Sequence, residues 1–120
     1  MNIQVKWIVA AHGYYKLNVD GAARGNPGNA GIGGVLRDFK GDFIAGFMNY
    51  IGFNTNNESK LLALWNGLKM AKELQITNII LETDSILTLN YFDRDRGPLT
   101  TKLVNLAQDC RLMLTEFDNS

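Results

Sequence analysis

The segment that most constrains this chain is Gly21-Ala22-Ala23-Arg24-Gly25-Asn26-Pro27-Gly28-Asn29-Ala30-Gly31. Its glycines and asparagines supply positive-φ positions and Pro27 stiffens the turn, so the chain must reverse there. Before it, Tyr15, Leu17 and Val19 alternate with Lys16, Asn18 and Asp20, the period of a strand with one apolar face. After it, residues 31–36 and 42–52 read as two more strands joined by the polar turn Arg37-Asp38-Phe39-Lys40-Gly41. The first half is therefore a three-stranded antiparallel meander. Gly31, Gly33, Gly34 and Gly46 weaken strand propensity but permit a helix or ligand to approach the backbone closely.

The second half changes period. Asn54-Thr55-Asn56-Asn57 is a run of helix-capping residues, and Leu61, Leu64, Trp65, Leu68 and Ala71 then recur at three- and four-residue steps, predicting an amphipathic helix. Ile79-Ile80-Leu81 is a short apolar run of the kind found in a strand covered on both faces. A right-handed crossover places it parallel to, and beside, the first strand. Residues 85–92 read as a short helix, and Thr100 or Thr101 caps a last one with a stripe of Leu103, Ala107, Cys110, Leu114 and Phe117. The fold class is α/β, a mixed sheet with helices. No repeat or linker divides the chain, which reads as one domain over residues 14–120 behind an N-terminal extension of residues 1–13.

Twelve Lys and Arg balance twelve Asp and Glu. Nucleic-acid affinity rests on cations displacing counterions from phosphates, so binding of that kind here must be local and salt-sensitive. Cys110 stands alone and cannot form an intramolecular disulfide, which favours an intracellular, reducing compartment and a packing role. No apolar run approaches the length that crosses a bilayer, and Met1 to Lys6 lacks the features of a secretory signal.

With the fourth strand beside the first, Asp20 and Asp84 fall at the carboxyl ends of adjacent parallel strands, where open α/β sheets place ligands. Two carboxylates side by side repel unless a cation lies between them, and a hard divalent metal suits oxygen ligands. Spacing alone leaves two readings open, a metal pair or two residues that cap the turns after their strands.

Three motifs stand in register along nearly the whole chain: Asp20 to Gly28, Thr55-Asn56-Asn57 before a helix, and Leu81-Glu82-Thr83-Asp84-Ser85. Together they resemble the ribonuclease H family, most closely its plant reverse-transcriptase-like branch. The resemblance implies a ribonuclease H-like mixed sheet and a metal-dependent endonuclease that cuts the RNA strand of RNA:DNA hybrids with Mg2+ held by four acidic residues. Asp20 and Asp84 match two of them, as catalytic residues and metal ligands. In the column of the third acid stands Lys60, followed by Leu61 as the motif requires. Glu58 lies two positions away, about 200° around a helix of roughly 3.6 residues per turn, and is expected to face elsewhere. The fourth acid of the family follows a fifth strand. The sequence ends at Glu116 to Ser120 where that strand would begin, so the fifth strand and final helix are expected to be missing, the domain to be truncated at its C-terminus, and Asp118 to be in the wrong segment to substitute. His12 matches no catalytic position and reads as a surface residue.

At an effective dielectric of about 20, an ammonium about 4 Å from a divalent ion is repelled by roughly 8 kcal/mol before relaxation or screening. A quarter of that would weaken a magnesium site more than tenfold. Lys60 can instead swing outward or pair with Asp20 and Asp84 as a built-in cation. Mg2+ binding is therefore expected to be weak or absent, and cleavage impaired. The resemblance also implies contacts to the hybrid minor groove, which assign Ala22, Ala23, Asn26, Asn56 and Asn57 to substrate binding; turn geometry and helix capping are their alternative roles. Ile86 stands where relatives often carry an amide, and the short Arg94–Pro98 connection has no basic extension. The alternative to an impaired enzyme is a module that binds nucleic acid or protein on the same fold. An open edge on the fourth strand would further predict dimerisation.

Overall fold

The computed structural model describes residues 2–4, 13–83 and 101–117. Its elements are β1 (Asn2–Gln4), β2 (Tyr15–Arg24), β3 (Gly28–Arg37), β4 (Phe43–Asn54), α1 (Asn56–Glu73), β5 (Ile79–Glu82) and α2 (Thr101–Leu114). They form one sheet in the order β1-β5-β2-β3-β4. The meander is as the alternation predicts, with β2 antiparallel to β3 and β3 to β4. The buried apolar strand β5 lies parallel to β2, pairing Tyr15 with Ile79 and Asn18 with Glu82. The helix expected over residues 85–92 lies outside the described residues, as do His12, Asp84 and Asp118.

The structure corrects two expectations. The glycine-rich segment is mostly strand, with only Gly25, Asn26 and Pro27 in the turn. Gly25 supplies the positive φ, whereas Gly28 and Gly31 sit in β3. The second correction concerns the sheet edge. Residues read as an extension outside the domain supply β1, which pairs with β5 through Asn2–Ile80, Ile3–Leu81 and Gln4–Glu82. An unpaired edge presents a row of backbone donors and acceptors, and β1 satisfies those of β5. Among the described residues the edge strands of the sheet are the three-residue β1 and the twelve-residue β4.

Helix α1 starts where the sequence places it because Thr55 takes an extended conformation and its hydroxyl accepts the Glu58 N–H at 3.1 Å. It ends in a Schellman arrangement: Gln75 N–H donates to Lys72 O at 2.9 Å and Ile76 N–H to Ala71 O at 3.1 Å, with Gln75 at φ 61° where glycine is usual. One face of α1 buries Leu61, Leu64, Leu68 and Ala71 against Leu17, Val19, Ile32 and Leu36 of the sheet, with Ile79 and Leu81 from β5. From the other side of α1, α2 and its following turn close the core with Ala107, Cys110, Met113 and Phe117. A Lys72–Glu116 ion pair links the two helices at the surface.

Two glycines let α1 settle onto β2. A Cβ on Gly21 would stand 2.2 Å from Ser59 O, and one on Gly67 would stand 2.5 Å from Val19 Cγ1. Each is closer than any real Cβ contact: at Gly21 the two backbones nearly touch, and at Gly67 the Val19 and Leu17 side chains lie against the helix backbone. Gly21→Ala must push α1 off the strand and should cost about 3 kcal/mol, the upper part of the range for overpacking, measured by denaturant unfolding. Cys110 is wholly buried, its Sγ within 3.5 Å of Leu61 O, and burial pushes its thiol pKa up to about 12. The folded protein should therefore resist thiol-directed reagents at neutral and mildly alkaline pH and react at the ordinary rate in denaturant, a contrast followed by absorbance with a disulfide reagent.

Candidate nucleic-acid interface

Strand β5 stops at Glu82, level with Asn18, and the strand pairing is carried one step further by a side chain. Thr83 Oγ1 donates to Val19 O at 2.9 Å in a buried bond. The residues immediately preceding the two acids singled out in the sequence, Asp20 and Asp84, are thus tied together. Side-chain alternation along β2 turns Leu17, Val19 and Gly21 toward α1 and Asp20 and Ala22 to the opposite face, where both are exposed. The first turn of α1 meets β2 at this same level. The Lys60 backbone nitrogen lies 3.1 Å from where a Gly21 Cβ would stand, and the residue is half-buried. The Lys60 backbone is therefore held against the residue next to Asp20.

Glu58 belongs to the capped start of α1. It occupies the third helical position, where its N–H is bound by the Thr55 cap and the residue is buried. Thr55-Asn56-Asn57-Glu58 has the spacing of a capping box, which gives Glu58 a structural reason to be acidic. Among the described residues no three His, Cys, Asp or Glu side chains stand together as a metal cradle. The donors described around Asp20 do not by themselves fit a magnesium pair.

Three of the five residues assigned to substrate contact are bound to one another. Asn56 Oδ1 accepts the Ala23 N–H at 2.8 Å, and the Asn56 N–H donates to Asn26 Oδ1 at 3.1 Å. The Ala23 N–H is thereby engaged within the protein, by the start of α1. The physical reason is that an extended β2 end would otherwise leave that donor without a partner beside the helix start. Asn56 thus clamps the hairpin to the helix, while Asn57 and Ala22 remain exposed beside the clamp.

Two further groups on the open face carry no signal in the motifs. Lys16, buried in β2, pairs with Glu82 at 3.6 Å, and Asn18 Nδ2 donates to Glu82 Oε1 at 3.0 Å. Burial pulls the Lys16 pKa below its ordinary value, against the attraction of Glu82. Alternation had placed Lys16, Asn18 and Asp20 on one face, but nothing in it distinguishes a buried polar cluster from a solvated one. Beside it runs an open trough of about 840 Å³, floored by Gly31 and Gly33 and walled by Asp20 and Arg24 on one side and Met48 and Tyr50 on the other. Tyr50 is held across it by a 3.2 Å bond from its hydroxyl to Asn29 Oδ1.

A family model described as reverse transcriptase-like matches residues 18–120. The chain is 38% identical over 87 residues to a candidate ribonuclease H protein of Arabidopsis thaliana and 35% identical over 112 residues to ribonuclease HI of Halobacterium salinarum. These alignments cover 72% and 90% of the chain, but 14% and 52% of the relatives, so the chain spans about half of the second and a smaller part of the first. The crystal structure of RNase H1 from Halobacterium salinarum superposes with a TM-score of 0.76 at 32% identity, covering 88% of this chain and 80% of that one. The N-terminal RNase H domain of a Mycobacterium tuberculosis protein does so with a TM-score of 0.76 at 27% identity, over 88% and 77%. The mixed sheet with its parallel fourth strand, the helix seated on it and the residues matched all agree: the chain belongs to the reverse transcriptase-like family and has the ribonuclease H fold.

Proposed function

We propose that this domain binds RNA:DNA hybrids, or a duplex of similar shape, over the surface formed by the β2–β3 hairpin and the start of α1, and that its capacity to cleave them is weak or lost. One observation supports the reading: Gly21 brings the start of α1 against β2, so the Lys60 backbone lies against the residue that follows Asp20. In this reading Asp20 and Asp84 retain their places as the catalytic and metal-binding pair. Magnesium, when bound, would supply the charge that activates water and steadies the leaving oxygen. Lys60 opposes that binding by its own charge.

Binding does not require the metal. Asn57 and Ala22 are exposed, and Asn26 and Asn56 hold the hairpin against the helix so that these groups form one rigid surface. A solved structural neighbour, LC11-RNase H1, was crystallised with an RNA/DNA hybrid and shares the fold with a TM-score of 0.71. With no excess of positive charge, affinity depends on few phosphate contacts and falls as salt rises. A module that binds nucleic acid or protein without any chemistry is the alternative that Lys60 itself favours. The two part on whether removing the lysine restores a metal site.

Two experiments test these readings. Calorimetric titration with Mg2+ should give at least tenfold tighter binding for Lys60→Glu than for the unaltered chain, and hybrid cleavage should rise with it. An unchanged titration in the variant would remove the impaired-enzyme reading and leave the binding module. In fluorescence anisotropy with a labelled RNA:DNA hybrid, Asn57→Ala should weaken binding without moving the unfolding midpoint. Asn56→Ala should weaken binding and also lower stability by about 1–3 kcal/mol, because the Ala23 N–H loses its acceptor.

A further inference from the structure

We infer that two copies of this chain associate through the free edge of β4, strand against antiparallel strand, with Met48 on the two-fold axis. The edge of β5 is occupied by the three-residue β1, so among the described residues the long exposed edge of the sheet lies at its other end. β4 is twelve residues long and lacks the charges and prolines that usually protect an edge, since from Phe43 to Asn54 it contains neither. It carries Phe43, Met48, Tyr50 and Phe53 at 64%, 90%, 73% and 72% exposure, a concentration that the rest of the described surface does not match.

The backbone geometry selects the register. The Phe47 and Asn49 carbonyls lie toward β3, each 3.5 Å from the Cβ positions of Gly33 and Gly31. Alternation along an antiparallel strand then turns the peptide groups of Gly46, Met48 and Tyr50 away from β3, toward whatever pairs with the edge. The register of β3 on β4 skips Ile44 and Ile51, so the regular stretch lies between these two irregularities. Its outward groups are centred on Met48. A two-fold there sets Gly46 of one copy opposite Tyr50 of the other, an aromatic ring over a residue with no side chain, and brings Phe43 toward Phe53.

A second copy is the occupant that the charge pattern fits. An isologous pairing places each residue against its own strand, so any lysine or glutamate near the axis would meet its like; β4 has none to meet. The whole chain carries a formal charge of zero, so no net repulsion opposes the encounter. A charged peptide would find no complementary group on this strand. The closed two-fold consumes the edge in both copies and stops at two, joining the sheets and bringing both troughs beside the axis.

Light scattering across a wide range of concentration should move from the mass of one 13.4 kDa chain to that of two and no further. Met48→Lys sets two ammonium groups against each other at the axis and should weaken association at least tenfold. Its circular dichroism and melting midpoint should be unchanged, because the side chain is exposed. Met48→Cys treated with diamide should give a disulfide-linked dimer through the substituted position, identified by peptide mapping, while Cys110 stays reduced in its core. A one-chain mass at every concentration would overturn the inference, as would open-ended oligomers. So would a dimer that Met48→Lys leaves intact, or one that the Met48→Cys substitution fails to cross-link.

Discussion

The near-contact between the backbones of β2 and α1 at Gly21 and Ser59 governs the rest of the molecule. A strand residue with any side chain would hold the helix away by the thickness of a methyl group. Without one, the Ser59 carbonyl and Lys60 nitrogen lie against the strand, and Gly67 repeats the close approach two turns later against Val19. The leucines of α1 then reach the full depth of the sheet, which is why Leu61, Leu64 and Leu68 are wholly buried. Packing of this density leaves little freedom for the helix to slide. The positions of its first-turn residues relative to Asp20 follow from it.

Polar groups at the helix start extend that constraint into the hairpin. Thr55 caps α1, Asn56 accepts from Ala23 and donates to Asn26, and the loop between β2 and β3 becomes part of the helix terminus. By binding each other these residues fix the local fold, and by doing so they present Asn57 and Ala22 on a rigid surface. Lys60 joins this framework through its backbone, at the close approach of α1 to Gly21.

The two edges of the sheet illustrate how backbone valence is managed. Three residues at the N-terminus satisfy the edge of β5 and lie within the sheet, although their sequence has no feature that separates them from a tail. At the other end β4 keeps an apolar, uncharged edge, and the same unsatisfied donors and acceptors remain available. The open trough over Gly31 and Gly33 lies on the face away from α1 and α2, so the described helices leave both Asp20 and Tyr50 accessible.

Much of this was legible in the residues. Alternation in Tyr15 to Asp20, the four-and-three stripe of α1 and the short run Ile79-Ile80-Leu81 each encode one element through side-chain period, and the crossover rule places β5 beside β2. The Lys60 substitution was legible from motif spacing alone. Other features were not. The glycines of residues 21–31 read as turn formers, yet Gly21 serves close packing against α1, a purpose defined only by what lies across from it. The inward use of the Ala23 amide, the burial of Lys16 with Glu82 and the pairing of β1 depend on residues distant in sequence. Local periodicity and capping chemistry are properties of neighbouring residues, so the sequence by itself determined the elements, their order and the charge at the third-acid position. Which donors were satisfied, which edge was covered and how near Lys60 stands to Asp20 are properties of surfaces brought together by folding, and only the tertiary structure decided them.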